Sequence, residues 1–328
     1  MKTVFLTGAT GLLGSNICEQ LIRRGDNVLA LIRNPRSEDV RALHALGAVI
    51  VTGEVTAPAS MLAAVHNADG IIHCAAVLPY AGVTMEESFS TNTVGTLNVL
   101  AAAALRGVPV VQVLAGTFFD TTSEPLSERS PLDLSFRHGD AYSVSKRLAY
   151  VEGFARVAQG QDIRFVCPGA IYGPSVCATK AMGAGSFNRL LASAIQGRVG
   201  AQLPLFVPYV TAADCAFVCI AALDKGMSGE RFLAMGRPDE VGTIADHCNR
   251  ACEIAGANHR VEQISMDKLD SPEVLELFGP TMPALARYGQ PTPVFDSRIT
   301  EARLGYIPTS VEDGFPKVID WMRARAIL

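Results

Sequence analysis

The sequence predicts an α/β protein built on a doubly wound parallel sheet, with a smaller C-terminal lobe. Three observations carry this expectation. Short apolar runs alternate with stretches of helical periodicity through the first half of the chain. A turn with glycines at every third position, Thr7-Gly-Ala-Thr-Gly-Leu-Leu-Gly14, joins the first run to the first helical stretch. Beyond about Ile171 the alternation loosens into segments rich in Gly and Pro, such as GPSVCATKAMGAGS, QLPLFVPYV and FGPTMPALARYGQPTPVF. With 328 residues and 49% hydrophobic content, the chain can bury a large core.

The runs Thr3–Leu6, Asn27–Ile32, Ala48–Thr52, Gly70–Cys74, Pro109–Leu114 and Ile163–Cys167 are expected as strands. Between them Leu13–Arg24, Glu38–Ala45, Ala59–Val65, Glu86–Arg106 and Ala141–Gln159 are expected as helices. Strands joined through helices run parallel and are covered on both faces, and their ligand site lies at the carboxyl ends. The glycine turn lies at such an end. Gly8 can take a backbone conformation closed to residues with a Cβ, Gly11 leaves room for a pyrophosphate, and Gly14 lets the helix pack closely on the strand. The free N–H groups of the helix start would then face the phosphates.

Thr7, Gly8, Thr10, Gly11, Leu12, Leu13 and Gly14 are therefore expected around a dinucleotide. The domain division follows: a Rossmann-type dinucleotide-binding domain over residues 1–170, and a mainly substrate-binding lobe over 171–328. About 208–238 is expected to return to the main sheet, as helix Thr211–Leu223 and strand Glu230–Met235. The tail Val311–Arg325 has the spacing of an amphipathic helix.

After the second strand comes LALIRNPR, where Arg33 stands in the place of a carboxylate that would grip the ribose diol of NAD. A guanidinium there suits a 2′-phosphate, with Arg36 as a second contact, so NADP(H) is expected over NAD(H). After the third strand, Glu54 can accept a hydrogen bond from the adenine amine, and the Val55 backbone can line the ring.

Composition excludes several classes. The net charge of −4 is spread without basic clusters, which argues against nucleic acid or an anionic membrane surface as partner. The opening MKTVFLTGAT is a poor signal peptide, and the apolar stretch Ala212–Leu223 is too short to span a bilayer and contains Asp214. A soluble cytoplasmic protein is expected. The 8 cysteines include no CxxC pair, so buried reduced thiols are expected, with no metal; His247 beside Cys248 does not supply a ligand set.

The strongest chemical signal is DAYSVSKRLAY. Tyr142 and Lys146 stand one helical turn apart, so both side chains share a face. A phenol is ordinarily too weak an acid for proton exchange at neutral pH, and a fixed ammonium beside it would lower its pKa. Tyrosine then serves as general acid or base.

These motifs together resemble the extended short-chain dehydrogenase/reductase family, the NAD-dependent epimerase/dehydratase group, over nearly the whole chain. TGATGLLG is similar to its TGxxGxxG, IIHCAAV to its HxAA segment, Asn92 to its helix asparagine and YSVSK to its YxxxK. CPGAIYGP resembles its RPxxxYGP with Cys167 in place of arginine, and the closing DSRITEARLGYIPTSVEDGFPKVIDWMR resembles the family's tail. The resemblance implies that Ala75, Ala76, Pro168, Ala170 and Ile171 flank the cofactor. It also implies that Lys146 holds the nicotinamide ribose while Tyr142 moves a proton at the substrate oxygen. The family's serine after the fifth strand is absent here, where VLAGTFFDTTS puts Ala115. Thr117 is taken as the third catalytic residue, with Thr121 and Thr122 in reserve.

Family members acting on nucleotide sugars usually carry an arginine where this chain reads QLPLFVPYV. That stretch has no basic residue, which suits a hydrophobic ketone or aldehyde, or the corresponding alcohol. The expectation is an NADP-dependent carbonyl reductase or alcohol dehydrogenase resembling the dihydroflavonol reductase-like members. The alternatives are a nucleotide-sugar epimerase or dehydratase, for which Lys180, Arg189, Arg198 and Arg287 remain available, and a dinucleotide-sensing protein without turnover. A homodimer through the Glu86–Arg106 and Ala141–Gln159 helices is also expected.

Overall fold

The computed structural model describes residues 1–78, 83–116, 119–120, 124–134, 140–279, 281–288 and 295–328. In chain order the first half runs β1 (Thr3–Thr7), α1 (Leu12–Arg23), β2 (Asn27–Ile32), α2 (Glu38–Leu46), β3 (Val49–Thr52), α3 (Pro58–Ala64) and β4 (Gly70–His73). There follow α4 (Met85–Ser88), a π-helical segment Phe89–Val94, α5 (Gly95–Arg106), β5 (Val110–Val113), β6 (Leu126–Ser127), α6 (Ala141–Ala158), β7 (Ile163–Pro168) and β8 (Ala170–Tyr172). The second half continues with α7 (Ala178–Ala181), α8 (Phe187–Ile195), β9 (Ala201–Gln202), β10 (Phe206–Val207), β11 (Tyr209–Thr211), α9 (Ala212–Lys225) and β12 (Arg231–Ala234). It closes with β13 (Gly242–Thr243), α10 (Ile244–Ala255), β14 (Glu262–Gln263), α11 (Pro272–Phe278), α12 (Thr281–Tyr288), β15 (Phe295–Asp296), α13 (Arg298–Leu304) and α14 (Val311–Arg323).

Among the described residues the main sheet has 7 strands in the order β12-β7-β5-β4-β1-β2-β3, all parallel. The order reverses beside β1, so the crevice at the carboxyl ends of β1 and β4 is where such a sheet takes a ligand. One face of the sheet is covered by α1, α2 and α9 through Ile17, Leu21, Val40, Leu43, Cys215 and Cys219. The other is covered by α3 and α5 through Met61, Val99, Leu100 and Ala103, with Tyr142 and Tyr150 of α6 packed against it. A separate cluster under the later elements joins Tyr172, Leu191, Tyr209, Cys248, Phe315 and Trp321.

Within 208–238, β12 pairs with β7 of the main sheet from Arg231↔Phe165 to Ala234↔Pro168 and α9 packs on that sheet, whereas β11 pairs with β8 outside it. The exposed edge of β12 is covered by the tail: Leu233 donates its amide to Thr300 Oγ1 at 2.8 Å. Thr300 in turn donates its amide and hydroxyl to Glu128 Oε1.

The expected single helix over 86–106 is corrected to three pieces, because the backbone widens to a π turn at Phe89–Val94. The wide turn carries Asn92 fully inside the protein. Seven of the cysteines are buried and Cys74 is half-buried, and all 8 are free thiols.

Candidate active site

The glycine turn has the geometry its spacing requires. Gly8 has φ +72°, and a Cβ there would lie 2.7 Å from the Ala75 amide nitrogen. A Cβ on Gly14 would lie 2.2 Å from the Gly8 carbonyl oxygen, so α1 sits directly against the turn. Gly11 donates its amide to the Gly8 oxygen at 2.9 Å. A Cβ on Gly11 would meet only that oxygen, at 3.2 Å, and would otherwise fill the open side of the turn.

Helix α1 also begins with no side-chain cap and no acidic residue in its first turn, whereas α2, α6, α9, α10 and α14 are capped by Ser37, Asp140, Thr211, Thr243 and Ser310. An uncapped helix start beside a cradle that a methyl group would fill fits a pyrophosphate. Thr10 and Leu12 are half-buried there, while Leu13 turns into the core.

At the end of β2, Arg33 and Arg36 are exposed, and the Arg36 amide donates to Asn34 Oδ1. Glu54 is exposed after β3, and Val55 is buried with its carbonyl accepting from Asn98 Nδ2 at 2.9 Å. After β4, Ala75 and Ala76 are half-buried, and the Ala75 amide donates to Thr7 Oγ1 at 3.2 Å. Pro168, Ala170 and Ile171 lie at the end of β7 and in β8, so the expected cofactor-flanking residues gather at the carboxyl edge of the sheet.

Tyr142 and Lys146 occupy the first two turns of α6, which Asp140 caps by accepting the Ser143 amide at 3.0 Å. Lys146 is buried and donates from Nζ to the Val113 carbonyl at 2.9 Å, which ties the helix to the end of β5. Burial brings its ammonium down to about 8, partly offset by the thiols of Cys74 and Cys167. The expected lowering of the phenol is corrected here. Tyr142 is pushed above the ordinary phenol range, first by burial and then by the Asp140 carboxylate, and the ammonium is held on the Val113 carbonyl.

Asn92, from the π turn, joins this helix to the segment after β4. Its side chain accepts the Val77 amide at 2.8 Å and donates to the Val77 carbonyl and to Ser145 Oγ, each at 3.1 Å. Thr93 Oγ1 adds a hydrogen bond to the Ser145 carbonyl at 2.9 Å. Ser145 Oγ donates to the Tyr142 carbonyl at 2.9 Å.

Thr117, Thr121 and Thr122 lie outside the described residues, and Ala115 is buried. Nearby, Arg231 places its guanidinium 4.2 Å from the Phe119 ring centre. It also donates to the carbonyls of Glu128 and Ser130, both at 2.8 Å. Arg287, expected to remain available to an anion, is instead paired with Asp270 at 2.6 Å. Lys180, Arg189 and Arg198 are exposed. His247 stacks on Tyr209 with ring centres 4.0 Å apart and points Nε2 at the Val207 carbonyl, and burial holds its pKa down. Among the described residues no group of three or more His, Cys, Asp or Glu side chains could hold a metal ion.

Sequence reasoning did not single out Thr96 or Ser145, and it took His73 only as part of the segment similar to HxAA. The available signal was a histidine ending the apolar run GIIH, at the very edge where the ligand is expected.

Comparison with known proteins agrees with this geometry. The model of the NAD dependent epimerase/dehydratase family matches residues 4–234. The chain belongs to that family. It is an NAD(P)-dependent enzyme of the extended short-chain dehydrogenase/reductase type. Sterol demethylase protein B of Methylococcus capsulatus is 27% identical over 99% of this chain and 100% of its own length. A nucleoside-diphosphate-sugar epimerase from Pseudomonas aeruginosa superposes with a TM-score of 0.80 at 20% identity, covering 100% of this chain and 99% of that one. The Bordetella bronchiseptica enzyme WbmH in complex with NAD+ superposes at 0.74 with 18% identity, covering 98% of each chain. At such identities the two structures establish the shared fold. Among the described residues no helix is long and apolar enough to cross a membrane.

Proposed function

We propose that this family member is an NADP-dependent oxidoreductase that interconverts a hydrophobic, alicyclic or aromatic ketone or aldehyde with its alcohol. One observation carries the substrate class. The uncharged stretch Gln202–Val210 is pressed against the cofactor-flanking segment: β11 pairs with β8, Ala170 donates its amide to the Pro208 carbonyl at 2.9 Å, and a Cβ on Gly169 would lie 2.2 Å from that oxygen. Leu203 and Tyr209 are buried, and Phe206, Val207 and Pro208 are half-buried. A wall of this kind offers contact area to an apolar ring and no cation to a sugar diphosphate. The full-length likeness to a sterol demethylase protein points the same way.

The bound nicotinamide would supply or take the hydride. The residues of the chain do the rest. Tyr142 gives its proton to the substrate oxygen in reduction and recovers it in oxidation, while Lys146, held by the Val113 carbonyl, presents a fixed positive charge one helical turn from Tyr142. A hydroxyl donor to the substrate oxygen is assigned to Thr117. Arg33 and Arg36 are the groups for the 2′-phosphate. The same enzyme is proposed to act as a homodimer, because α6 leaves Leu148, Val151 and Phe154 exposed at one-turn spacing beside the exposed Val94; light scattering at micromolar concentration should give twice the chain mass.

The test is a panel of alicyclic and aromatic ketones and of UDP- and dTDP-sugars, followed by NADPH absorbance and by product analysis. NADPH consumption with a ketone supports the proposal. Epimerisation of a nucleotide sugar with no net change in cofactor would replace it.

A further inference from the structure

His73 ends β4 fully buried between two hydroxyls. Its Nδ1 lies 2.7 Å from Thr7 Oγ1, and its Nε2 lies 2.9 Å from Thr96 Oγ1. The direction of every bond in this chain can be worked out. Thr96 spends its one proton on the Asn92 carbonyl at 2.7 Å, so it accepts from His73, and Nε2 carries the hydrogen. The imidazole is neutral, since burial and then the charge of Lys146 bring it down to about 3, so Nδ1 offers a lone pair and accepts from the Thr7 hydroxyl. Thr7 Oγ1 in turn accepts the Ala75 amide. Hydrogen bonds therefore run from the end of β1, just before the glycine turn, through Thr7, His73 and Thr96 to the backbone carbonyl of Asn92, and the Asn92 side chain carries the link on to Ser145 and the Tyr142 carbonyl.

We propose that His73 is a positioning residue whose neutral Nε2–H imidazole sets the helix of Tyr142 and Lys146 relative to the glycine turn. The two parts that must meet for hydride and proton transfer, the pyrophosphate turn on β1 and the acid–base pair on α6, lie on elements that do not pair with each other. Four short polar side chains, those of Thr7, Thr96, Asn92 and Ser145, and one rigid ring span the gap. A purely apolar residue at 73 would fill the core equally well, and it would leave the Thr7 and Thr96 hydroxyls with buried, unmet hydrogen bonds. The ring is suited to this task because its two nitrogens are fixed in one plane, so a shift at Thr7 is passed on to Thr96 instead of being absorbed by rotamer changes. The π turn belongs to the same device: its extra residue brings Asn92 to where it can hold both Val77 and Ser145.

The proposal rests on Tyr142 as proton donor only for its catalytic consequence, and the experiment separates the two. Histidine-labelled protein examined by 15N NMR should show one imidazole protonated at Nε2 alone and not titrating between about pH 5 and 9. Thr96→Val, which removes the acceptor at constant volume, should speed amide exchange in Ser143–Lys146 by about tenfold or more while exchange in β1 and β2 stays the same. NADPH affinity by fluorescence titration should change by less than about threefold, and turnover of whichever ketone the panel identifies should fall by about tenfold. His73→Gln keeps an N–H near the Nε2 position and should retain more of the helix protection than His73→Asn, which keeps only an acceptor near Nδ1.

A wild-type imidazole protonated at Nδ1, or unchanged exchange in Ser143–Lys146 for Thr96→Val, would overturn the proposal. So would a uniform rise in exchange across the whole sheet, which marks simple loss of stability. Should Thr96→Val fail to fold, the NMR tautomer and the Gln-against-Asn ranking decide. Should Tyr142→Phe prove active, the exchange result still decides the role of His73.

Discussion

The glycine-turn side of this site and the proposed substrate side are built by different physics. On the cofactor side, positions are set by backbone contact: Gly8 and Gly14 approach other backbone atoms so closely that a single methyl group has no room. Charge is sparing there and fixed, as with Lys146 on the Val113 carbonyl. On the proposed substrate side, Phe187, Tyr209, His247 and Phe315 pack ring against ring, and the half-buried Phe206 and Val207 present apolar surface. Backbone contact tolerates almost no substitution, while apolar packing tolerates many of similar volume. The glycine turn is therefore held to one residue type at each of these positions, and the proposed substrate side is free to vary.

If that contrast is right, the cofactor side should lose function abruptly. Tyr142→Phe should leave NADPH affinity nearly intact and lower turnover by about 10²–10⁴-fold, the usual worth of a positioned general acid. Steady-state kinetics alongside fluorescence titration checks both halves; a variant with more than about half the activity would move the acid elsewhere. Arg33→Ala should follow, weakening NADPH by about 10- to 150-fold, as expected for a lost charge-assisted bond, while NADH affinity barely moves. Equal affinities for the two cofactors in the unmodified protein would mean that the exposed Arg33 serves only the solvent.

Lys146 sharpens the contrast through pH. Its ammonium is pushed down to about 8 by burial, so activity that needs the charge should decline as pH rises through 8. Stability should move in the opposite sense. An unfolded lysine keeps its proton to about pH 10.4, so between 8 and that value the unfolded chain binds more protons and the native state gains stability with rising pH. By the same argument Lys146→Met should be inactive yet more stable at pH 7, by about 1–3 kcal/mol, since a charge kept in the core is replaced by an apolar chain of similar length. Denaturant unfolding at pH 7 and pH 9 measures this, with the gap between the two proteins narrowing at the higher pH. On the substrate side the effect should be smallest: Phe206→Leu should shift KM for a bulky ketone by no more than about tenfold and leave NADPH affinity unchanged.

The same division explains what could be read from the sequence. The glycine turn was legible because its constraint is local: a positive φ at Gly8 and a blocked Cβ at Gly14 each leave one residue type. The placing of Tyr142 and Lys146 one turn apart at the head of α6 was legible from their spacing. The edge strand β12 could be anticipated from its apolar run, though its covering by Thr300 and Glu128 could not.

The π turn was missed because an extra residue inside an otherwise regular helix changes the period only locally. The role of His73 was hidden for a different reason. Its partners Thr7 and Thr96 come from separate elements, and only the packed sheet brings them within hydrogen-bond reach. Asp39 behaves similarly, accepting the amides of Thr179 and Lys180 to dock α7 on α2 from far away in sequence. The expectation that Lys146 lowers the phenol came from spacing alone and left out burial, which lifts Tyr142.

The central claim, hydride exchange with an apolar carbonyl compound, is tested most directly by isotope transfer. NADPH carrying deuterium at C4 of the nicotinamide, on the face the enzyme uses, is incubated with the ketone that responds best in the panel, and the product is examined by mass spectrometry and NMR. The account predicts one deuterium on the new carbinol carbon for each NADP+ formed, with no transfer by Tyr142→Phe above its residual rate. Label that never reaches a ketone, together with epimerised nucleotide sugar and cofactor returned unchanged, would contradict it.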